Sequence, residues 1–263
     1  MSYRLGIIGF GNMGGAIGAG LVTNKALPAS KIVAWDVSAA ALERAGTVGI
    51  RTAAGIAELC VASDIVLLAV KPQDASAVVG NVAEHLAGKA VITIVAGLTT
   101  DSLARQLPAG TRVLRALPDT PAQVAEGAFG LSEATTITAD EKADIEGWLN
   151  TIGLVEWVPE EHMDAVTGLA GASAYAAIMI EALADGGVQQ GLRRPAAQRL
   201  AAQVVLGTAK LLLVSGDHPG QLKDDACSPA GTTLEGIRAL ERAGFRSALI
   251  EAVIAGSQRA REL

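Results

Sequence analysis

Two stretches of the chain carry residue types at spacings that can act on a ligand. Ser228-Pro229-Ala230-Gly231-Thr232-Thr233-Leu234-Glu235 reads as a helix N-terminus open to an anion. Ser228 suits the N-cap, Pro229 a first turn whose N–H has no partner in any case, and Ala230 and Gly231 leave the next amides uncovered. Free N–H groups and the positive end of the helix dipole then hold a carboxylate or phosphate without a basic side chain. Thr232 and Thr233 place hydroxyls beside whatever bears the anion. The same eight residues also suit an ordinary capped surface helix.

The second stretch is Gly9-Phe10-Gly11-Asn12-Met13-Gly14, which follows the apolar run Leu5-Gly6-Ile7-Ile8 and precedes a small-residue helix through Val22. Strand, glycine turn and helix in that order form a dinucleotide-binding fingerprint: Gly9 for the tight turn, Gly11 for approach of a pyrophosphate, Gly14 for close packing of helix on strand. A second strand, Lys31 to Trp35, ends in Asp36, 22 positions beyond Gly14. An acid at about that distance hydrogen-bonds an adenosine ribose and repels a 2′-phosphate. Asp36 therefore favours NADH, with NADPH as the open alternative; the competing role for Asp36 is to cap the helix beginning near Ser38.

The elements that must position these residues alternate. Asp64–Val70 is an unbroken apolar run after its first residue, as expected of a parallel strand buried on both faces, and Ala90–Val95 and Arg112–Leu117 read as the next strands. Their ends, Ala69 with Lys71-Pro72-Gln73, Ala96-Gly97 and Pro118-Asp119-Thr120-Pro121, would line the crevice at the carboxyl edge of the sheet. Lys71 is more often a solvated lysine than a catalytic one. Asp119, between two prolines, either meets the nicotinamide end or caps its turn. A helix from Thr138 to Thr151 and a strand Leu154–Val158 close this part at Pro159. Beyond it the period becomes helical: Glu160 to Ala184 reads as one long helix, Pro195 to Ser215 as another, with two more beginning at Ser228 and Gly244. The expected class is α/β, a Rossmann-type doubly wound parallel sheet over residues 1–159 followed by an all-α domain over residues 160–263.

Of 263 residues, half are hydrophobic and only 3% aromatic, so the interior is built from small and aliphatic side chains. The positive mean hydropathy, +0.37, implies more apolar surface than one subunit buries, as a large homodimer interface would need. A net charge of −6 leaves no basic stripe to neutralise nucleic acid or anionic lipid. Cys60 and Cys227 form no disulfide ladder and no signal sequence opens the chain, which fits a reducing cytoplasm. Neither long uncharged run reads as a membrane span: Leu5 to Thr23, with seven glycines, is strand, turn and helix, and Ala165 to Ile180, 16 residues, is short of the ~20 that a bilayer needs. His85, His162 and His218 are scattered with no metal-ligand spacing, and no nucleophile motif is present.

Several motifs together resemble the pyrroline-5-carboxylate reductase family: Gly9 to Gly14, Val70-Lys71-Pro72-Gln73, Leu117-Pro118-Asp119-Thr120-Pro121, Asp164-Ala165-Val166-Thr167, Glu181 to Val188, His218 to Asp224, and above all Ser228 to Glu235. The resemblance covers nearly the whole chain. It implies hydride transfer from a reduced nicotinamide cofactor to the C=N bond of a cyclic imino acid, 1-pyrroline-5-carboxylate giving proline. It further implies a homodimer with interleaved C-terminal helices, with a decamer as the further assembly. Gly9, Gly11 and Gly14 would hold the pyrophosphate, with Asn12 and Met13 lining the turn and Lys71 and Pro72 flanking the cofactor. Ser228, Gly231 and Thr232 would hold the substrate carboxylate and Thr233 would donate to the ring nitrogen, as the catalytic contact.

The chain departs from the family pattern at Asp119, where asparagine is usual, at Ala230, where glycine is usual, and at Ala170–Tyr175, which is one residue shorter and lacks a proline. A more continuous helix is expected there. Asp36 also replaces the polar or basic residue of phosphate-using members. Two other readings therefore remain: a reductase of a different cyclic imine, and a nucleotide-binding scaffold without turnover. A β-hydroxyacid-type dehydrogenase would want a lysine on the long helix from Glu160, which has none.

Overall fold

The structure, a computed structural model, describes residues 2–262. By its contacts the chain forms two compact units, Met1–Gly171 with Ala255–Leu263, and Ala172–Ile254.

In the first unit β1 (Tyr3–Ile8) leads through the glycine turn into α1 (Asn12–Thr23), followed by β2 (Ile32–Trp35), α2 (Ala39–Thr47), the two-residue β3 (Arg51–Thr52) and α3 (Ile56–Ala62). Next come β4 (Ser63–Leu68), α4 (Pro72–Val82), β5 (Ala90–Thr93), α5 (Thr100–Ala104), β6 (Arg112–Pro118), β7 (Gly127–Ser132), α6 (Ala139–Leu149), β8 (Gly153–Val158) and α7 (Met163–Ala170). The eight strands form one sheet in the order β3-β2-β1-β4-β5-β6-β7-β8. It is parallel from β3 to β6, with Leu5 paired to both Ile32 and Ile65. The expected doubly wound architecture is present.

The apolar runs divide between two faces by simple alternation. Leu5, Ile7, Ile65, Leu67 and Leu114 point to a core shared with Ile17 and Leu21 of α1. Ile8, Val66, Leu68, Val91 and Val113 point to the opposite core, closed by Leu59 of α3 and Val79 of α4. Burial on both faces is why these strands show no polar alternation in sequence.

One strand pairing departs from the parallel rule. The connection between β6 and β7 is only Asp119 to Glu126, too short for a crossover, so β7 runs antiparallel to β6, with Ala116 opposite Leu131. Strand β7, Gly-Ala-Phe-Gly-Leu-Ser, is not legible in the sequence, because its glycines and small residues carry little strand signal. Gly130 is required there, since a Cβ would come within 2.5 Å of Val166 Cγ1 on α7. This close packing keeps α7 with the sheet, and the compact first unit extends past Pro159.

The second unit contains α8 (Ala172–Gln189), α9 (Arg194–Ser215), α10 (Pro219–Asp225), α11 (Thr232–Arg242) and most of α12 (Phe245–Arg261). The single long helix expected from Glu160 to Ala184 is instead a short 3₁₀ turn, α7 and α8. The interruption is slight, because Gly171 keeps right-handed helical angles (φ −63°, ψ −16°), in keeping with the absent proline. Helix α10 had no counterpart in the sequence reading.

The uncharged run Ala165–Ile180 is 16 residues long but is not an isolated element. That run belongs to a 30-residue helical stretch, Glu160–Gln189, which together with Arg194–Ser215 is long and apolar enough to cross a bilayer by length and composition. Within the second unit both present exposed Ile178, Leu183, Leu200, Val204 and Leu213, apolar side chains that a single chain leaves uncovered.

Candidate active site

The glycine turn sits where the strand order reverses, between β1 and β4. Gly9 N–H donates to Trp35 O at 2.8 Å and Ala69 N–H to Ile8 O at 2.8 Å, which knits the ends of the three strands together. Gly9 is left-handed (φ +94°), and a Cβ on it would lie 2.4 Å from Ala69 O; one on Gly14 would lie 2.0 Å from Gly9 O. These two glycines are demanded by the protein itself. Gly11 is different: a Cβ there meets nothing within 4 Å. Its bareness serves no packing need and instead opens the N-terminus of α1, whose N-cap Gly11 supplies no side-chain acceptor. Such a cradle of free amides and clear space fits a pyrophosphate, and the residues present therefore fit a nicotinamide dinucleotide.

Asp36 closes the turn from the side. Its Oδ2 accepts Phe10 N–H at 2.6 Å and its Oδ1 accepts Ser38 N–H at 2.8 Å. The carboxylate thus orders both the glycine turn and the start of α2. Arg44 donates from Nη2 to Phe10 O at 3.3 Å, bringing a guanidinium to the same turn. Gly11, Asn12 and Arg44 also line an open groove of about 640 Å³ along the outer side of α1.

A cavity of about 240 Å³ lies at the carboxyl ends of the strands. Of the residues expected at the site it gathers Met13, Ala69, Ala96 and Pro118. Its other walls are Val70, Leu117 and Thr167, which the sequence motifs include, Ala170, where the chain departs from the family pattern, and Ile94 of the strand run before Ala96; none of the five was assigned a contact with the cofactor from sequence. The rule that ligands meet the carboxyl ends of strands could have found Val70, Ile94 and Leu117; Thr167 and Ala170 enter only because α7 folds back over the sheet. The side chains lining the cavity are apolar apart from Thr167, whose hydroxyl donates to Met163 O at 3.1 Å.

Of the residues expected at the strand ends, Lys71, Pro72, Gly97 and Asp119 stand outside this cavity. Lys71 is exposed at the N-cap of α4, with Pro72 in its first turn. Gly97 is left-handed (φ +76°) and turns the chain toward α5. Asp119 Oδ1 accepts Ala128 N–H at 2.8 Å. Partial burial raises its carboxyl above the usual aspartate range, against the opposing effect of that hydrogen bond.

In the second unit the Ser228 segment differs from its expected form. Ser228 is not the N-cap and Pro229 is not in the first helical turn: Gly231 N–H donates to Ser228 O at 2.9 Å, Ala230 is left-handed (φ +58°), and α11 begins at Thr232 with Gly231 as N-cap. Proline presets the second position of a tight turn whose third position needs positive φ, so the turn forms first and the helix starts three residues later. Ser228 Oγ then lies against Gly231, where a Cβ would come within 2.4 Å of it. Gly231 adds no side-chain cap, and the first amides of α11 stay open.

Among the described residues no group of three or more His, Cys, Asp or Glu is placed to hold a metal. Both cysteines are unpaired, and burial pushes the Cys60 thiol up to about 11, against a weaker opposing effect of Lys89.

A glycine turn at the switch point of a parallel sheet, opening on an apolar cavity, defines an oxidoreductase of the Rossmann dinucleotide-binding class. Residues 4–97 match the family described as NADP oxidoreductase coenzyme F420-dependent, and residues 160–263 match the pyrroline-5-carboxylate reductase dimerisation family. The chain is 42% identical to the pyrroline-5-carboxylate reductase of Synechocystis sp., covering all of this chain and 99% of that one. Among solved structures it is similar to the pyrroline-5-carboxylate reductase of Coxiella burnetii (31% identity, TM-score 0.90, 100% and 98% covered). It is also similar to the Plasmodium falciparum pyrroline carboxylate reductase with NADP bound (28%, TM-score 0.89, 99% and 97% covered). The chain belongs to the pyrroline-5-carboxylate reductase family.

Proposed function

We propose that this protein is an NAD(P)H-dependent reductase that converts 1-pyrroline-5-carboxylate to proline, a step of amino-acid biosynthesis in the cytoplasm. The observation that carries the reading is the bare Gly11 over the open N-terminus of α1, beside an apolar cavity at the strand ends. It is supported by full-length identity to reductases of that name.

When bound, the reduced nicotinamide supplies the hydride. The chain's own residues bind and orient. The amides beyond Gly9, Gly11 and Gly14, with Asn12 and Met13, hold the pyrophosphate, while Lys71 and Pro72 flank the dinucleotide. Met13, Ala69, Ala96 and Pro118 would line the ring end, with Gly97 and Asp119 shaping the adjoining loops. Ser228, Gly231 and Thr232 take the substrate carboxylate at the N-terminus of α11, which needs no basic side chain. With the substrate entering as the protonated iminium, hydride addition at carbon gives the neutral amine directly; the Thr233 hydroxyl hydrogen-bonds the ring nitrogen to position it without ionising, and orientation by the carboxylate clamp is most of what the protein must supply. Residues 160–263 serve dimerisation and substrate binding, with residues 1–159 as the nucleotide-binding domain. The exposed apolar sides of α8 and α9 support a homodimer of interleaved helices, with a decamer as the higher assembly.

Asp36 makes NADH the favoured cofactor, because a carboxylate fixed at the end of β2 repels a 2′-phosphate. The Arg44 guanidinium at the same turn favours NADPH, which is the second reading. The test is steady-state reduction of 1-pyrroline-5-carboxylate, and of its six-membered homologue, with each cofactor. Turnover of the five-membered imine with a lower KM for NADH is expected; cofactor binding without turnover of either imine would refute the reductase.

A further inference from the structure

Arg115, in the middle of β6, has a side chain only 1% exposed, a degree of burial that arginine tolerates only when paired. Its Nη1 donates to Glu160 Oε1 at 3.0 Å and its Nη2 to Asp164 Oδ1 at 3.3 Å. Glu160 also accepts Thr100 N–H at 3.2 Å and the Thr100 hydroxyl at 3.1 Å. The second oxygen of Asp164 faces Arg261 Nε at 3.8 Å, at the end of α12. Burial by itself would raise the Glu160 carboxyl, but hydrogen bonds from Ser132, Arg115 and Thr100 outweigh it and hold the group below the usual range. Glu160 therefore stays ionised against the guanidinium.

Three members of this node lie a short distance along the chain from a wall of the cavity at the strand ends. Arg115 precedes Leu117 and Pro118, Thr100 follows Ala96 and Gly97 at the start of α5, and Asp164 lies one helical turn before Thr167 and two before Ala170. Three segments with no sequence proximity are thus tied to one guanidinium. Stability alone does not explain the arrangement. Arg115 Nε is buried with no hydrogen-bond partner, and a buried ion group of that kind is often no more stable than an apolar residue of similar volume. Its distinctive property is geometric: a planar fork fixes the angle as well as the distance of two carboxylates.

We propose that Arg115 is a positioning residue, holding α7, and with it Thr167 and Ala170, against the carboxyl ends of β5 and β6 so that the cavity keeps the shape needed for hydride transfer. The inference rests on the reading of that cavity as the cofactor's reactive end.

Its test uses the full-length oligomer with Arg115→Met, Arg115→Lys and Asp164→Asn. Amide exchange over residues 163–170, equilibrium binding of the reduced cofactor and steady-state kinetics are read in each. In R115M the dissociation constant of the cofactor changes by less than about threefold, because the glycine turn is untouched, while kcat falls by roughly ten- to a hundredfold through misplacement of the walls. Amides of α7 exchange at least about tenfold faster, and R115K recovers part of both losses. Parent-like kcat and parent-like α7 exchange in R115M, with only a lowered Tm, would overturn the proposal. If R115M does not fold, D164N decides: faster α7 exchange with lower kcat supports the proposal, and no change in either overturns it. The exchange readout does not depend on the substrate, so a parent enzyme that reduces no cyclic imine refutes the proposed reaction and leaves the positioning role to be read separately.

Discussion

Asp119 Oδ1 accepts the backbone N–H of Ala128 at 2.8 Å, and Asp119 N–H donates to Ala128 O at 3.2 Å, so one residue closes both sides of the turn between β6 and β7. Its job is to extend an antiparallel pair, a task that needs an acceptor and not a charge. Burial raises its carboxyl, so ionisation opposes folding: the penalty is absent below the unfolded aspartate value and grows as pH rises through the folded one. Asp119→Asn should therefore leave Tm unchanged or higher at neutral pH, with the difference vanishing in acid. Thermal melts of both proteins across that range check it, and a large loss of Tm at pH 7 would show the charge to be needed.

Gly11 and Gly14 separate binding from folding. G14A drives a Cβ to 2.0 Å from Gly9 O and should destabilise the protein by several kcal/mol, on the order expected of overpacking against backbone. G11A meets open space and should melt with the parent. Its cofactor affinity should nevertheless fall by about tenfold or more, since a methyl now occupies the pyrophosphate's approach. Melting curves alongside titration of reduced cofactor fluorescence distinguish the two variants.

Ala230 holds φ at +58°, a conformation that a side chain resists and glycine accepts. Ala230→Gly should stabilise the protein by roughly 1 kcal/mol, part of the released strain being offset by the freer unfolded chain. The turn and the open amides of α11 should persist, so activity should be retained. Denaturant midpoints measured at equal subunit concentration give the answer, and a lower midpoint for A230G would mean that the turn is not strained.

Glu141 sits at the third position of α6 in a capping box with Thr138 and takes a forked contact from Arg112, with Nη2 at 2.7 Å and Nε at 2.9 Å. Burial would raise its carboxyl, but Arg112 and the Thr138 amide prevail and lower it. Its contribution to stability is therefore present above the unfolded glutamate value and is lost as pH falls through the depressed folded value. E141Q should cost about 2–3 kcal/mol at neutral pH, the cost of leaving Arg112 unpaired in a partly buried site, and should flatten the acid limb of the stability curve. An acid limb as steep as the parent's would exclude Glu141 as its source.

Much of this was legible in order along the chain because local rules carry it. Unbroken apolar runs between glycine-rich turns mark strands buried on both faces, and the spacing from Gly9 through Gly14 to Asp36 marks the nucleotide turn, since each position answers to backbone geometry within a few residues. The motif from Ser228 to Glu235 was recognisable as a unit, but its local form was misread. Proline followed by a left-handed residue makes a turn before it makes a helix, and the start of α11 moved to Thr232.

What the tertiary structure alone decided is which distant residues meet. Phe129 and Leu131 of β7 join the core beside β6 only because the short Asp119–Glu126 connection forces an antiparallel return. Thr167 and Ala170 become walls of the cavity only because α7 packs on Gly130, and Arg115, the fully buried one of two arginines in β6, pairs with Glu160 and Asp164, which in turn meet Thr100 of α5 and Arg261 of α12. Spacing along a sequence encodes periodicity, and periodicity says which face a residue occupies. Which other element covers that face depends on packing between segments far apart in the chain, and that is settled only when the whole chain is folded.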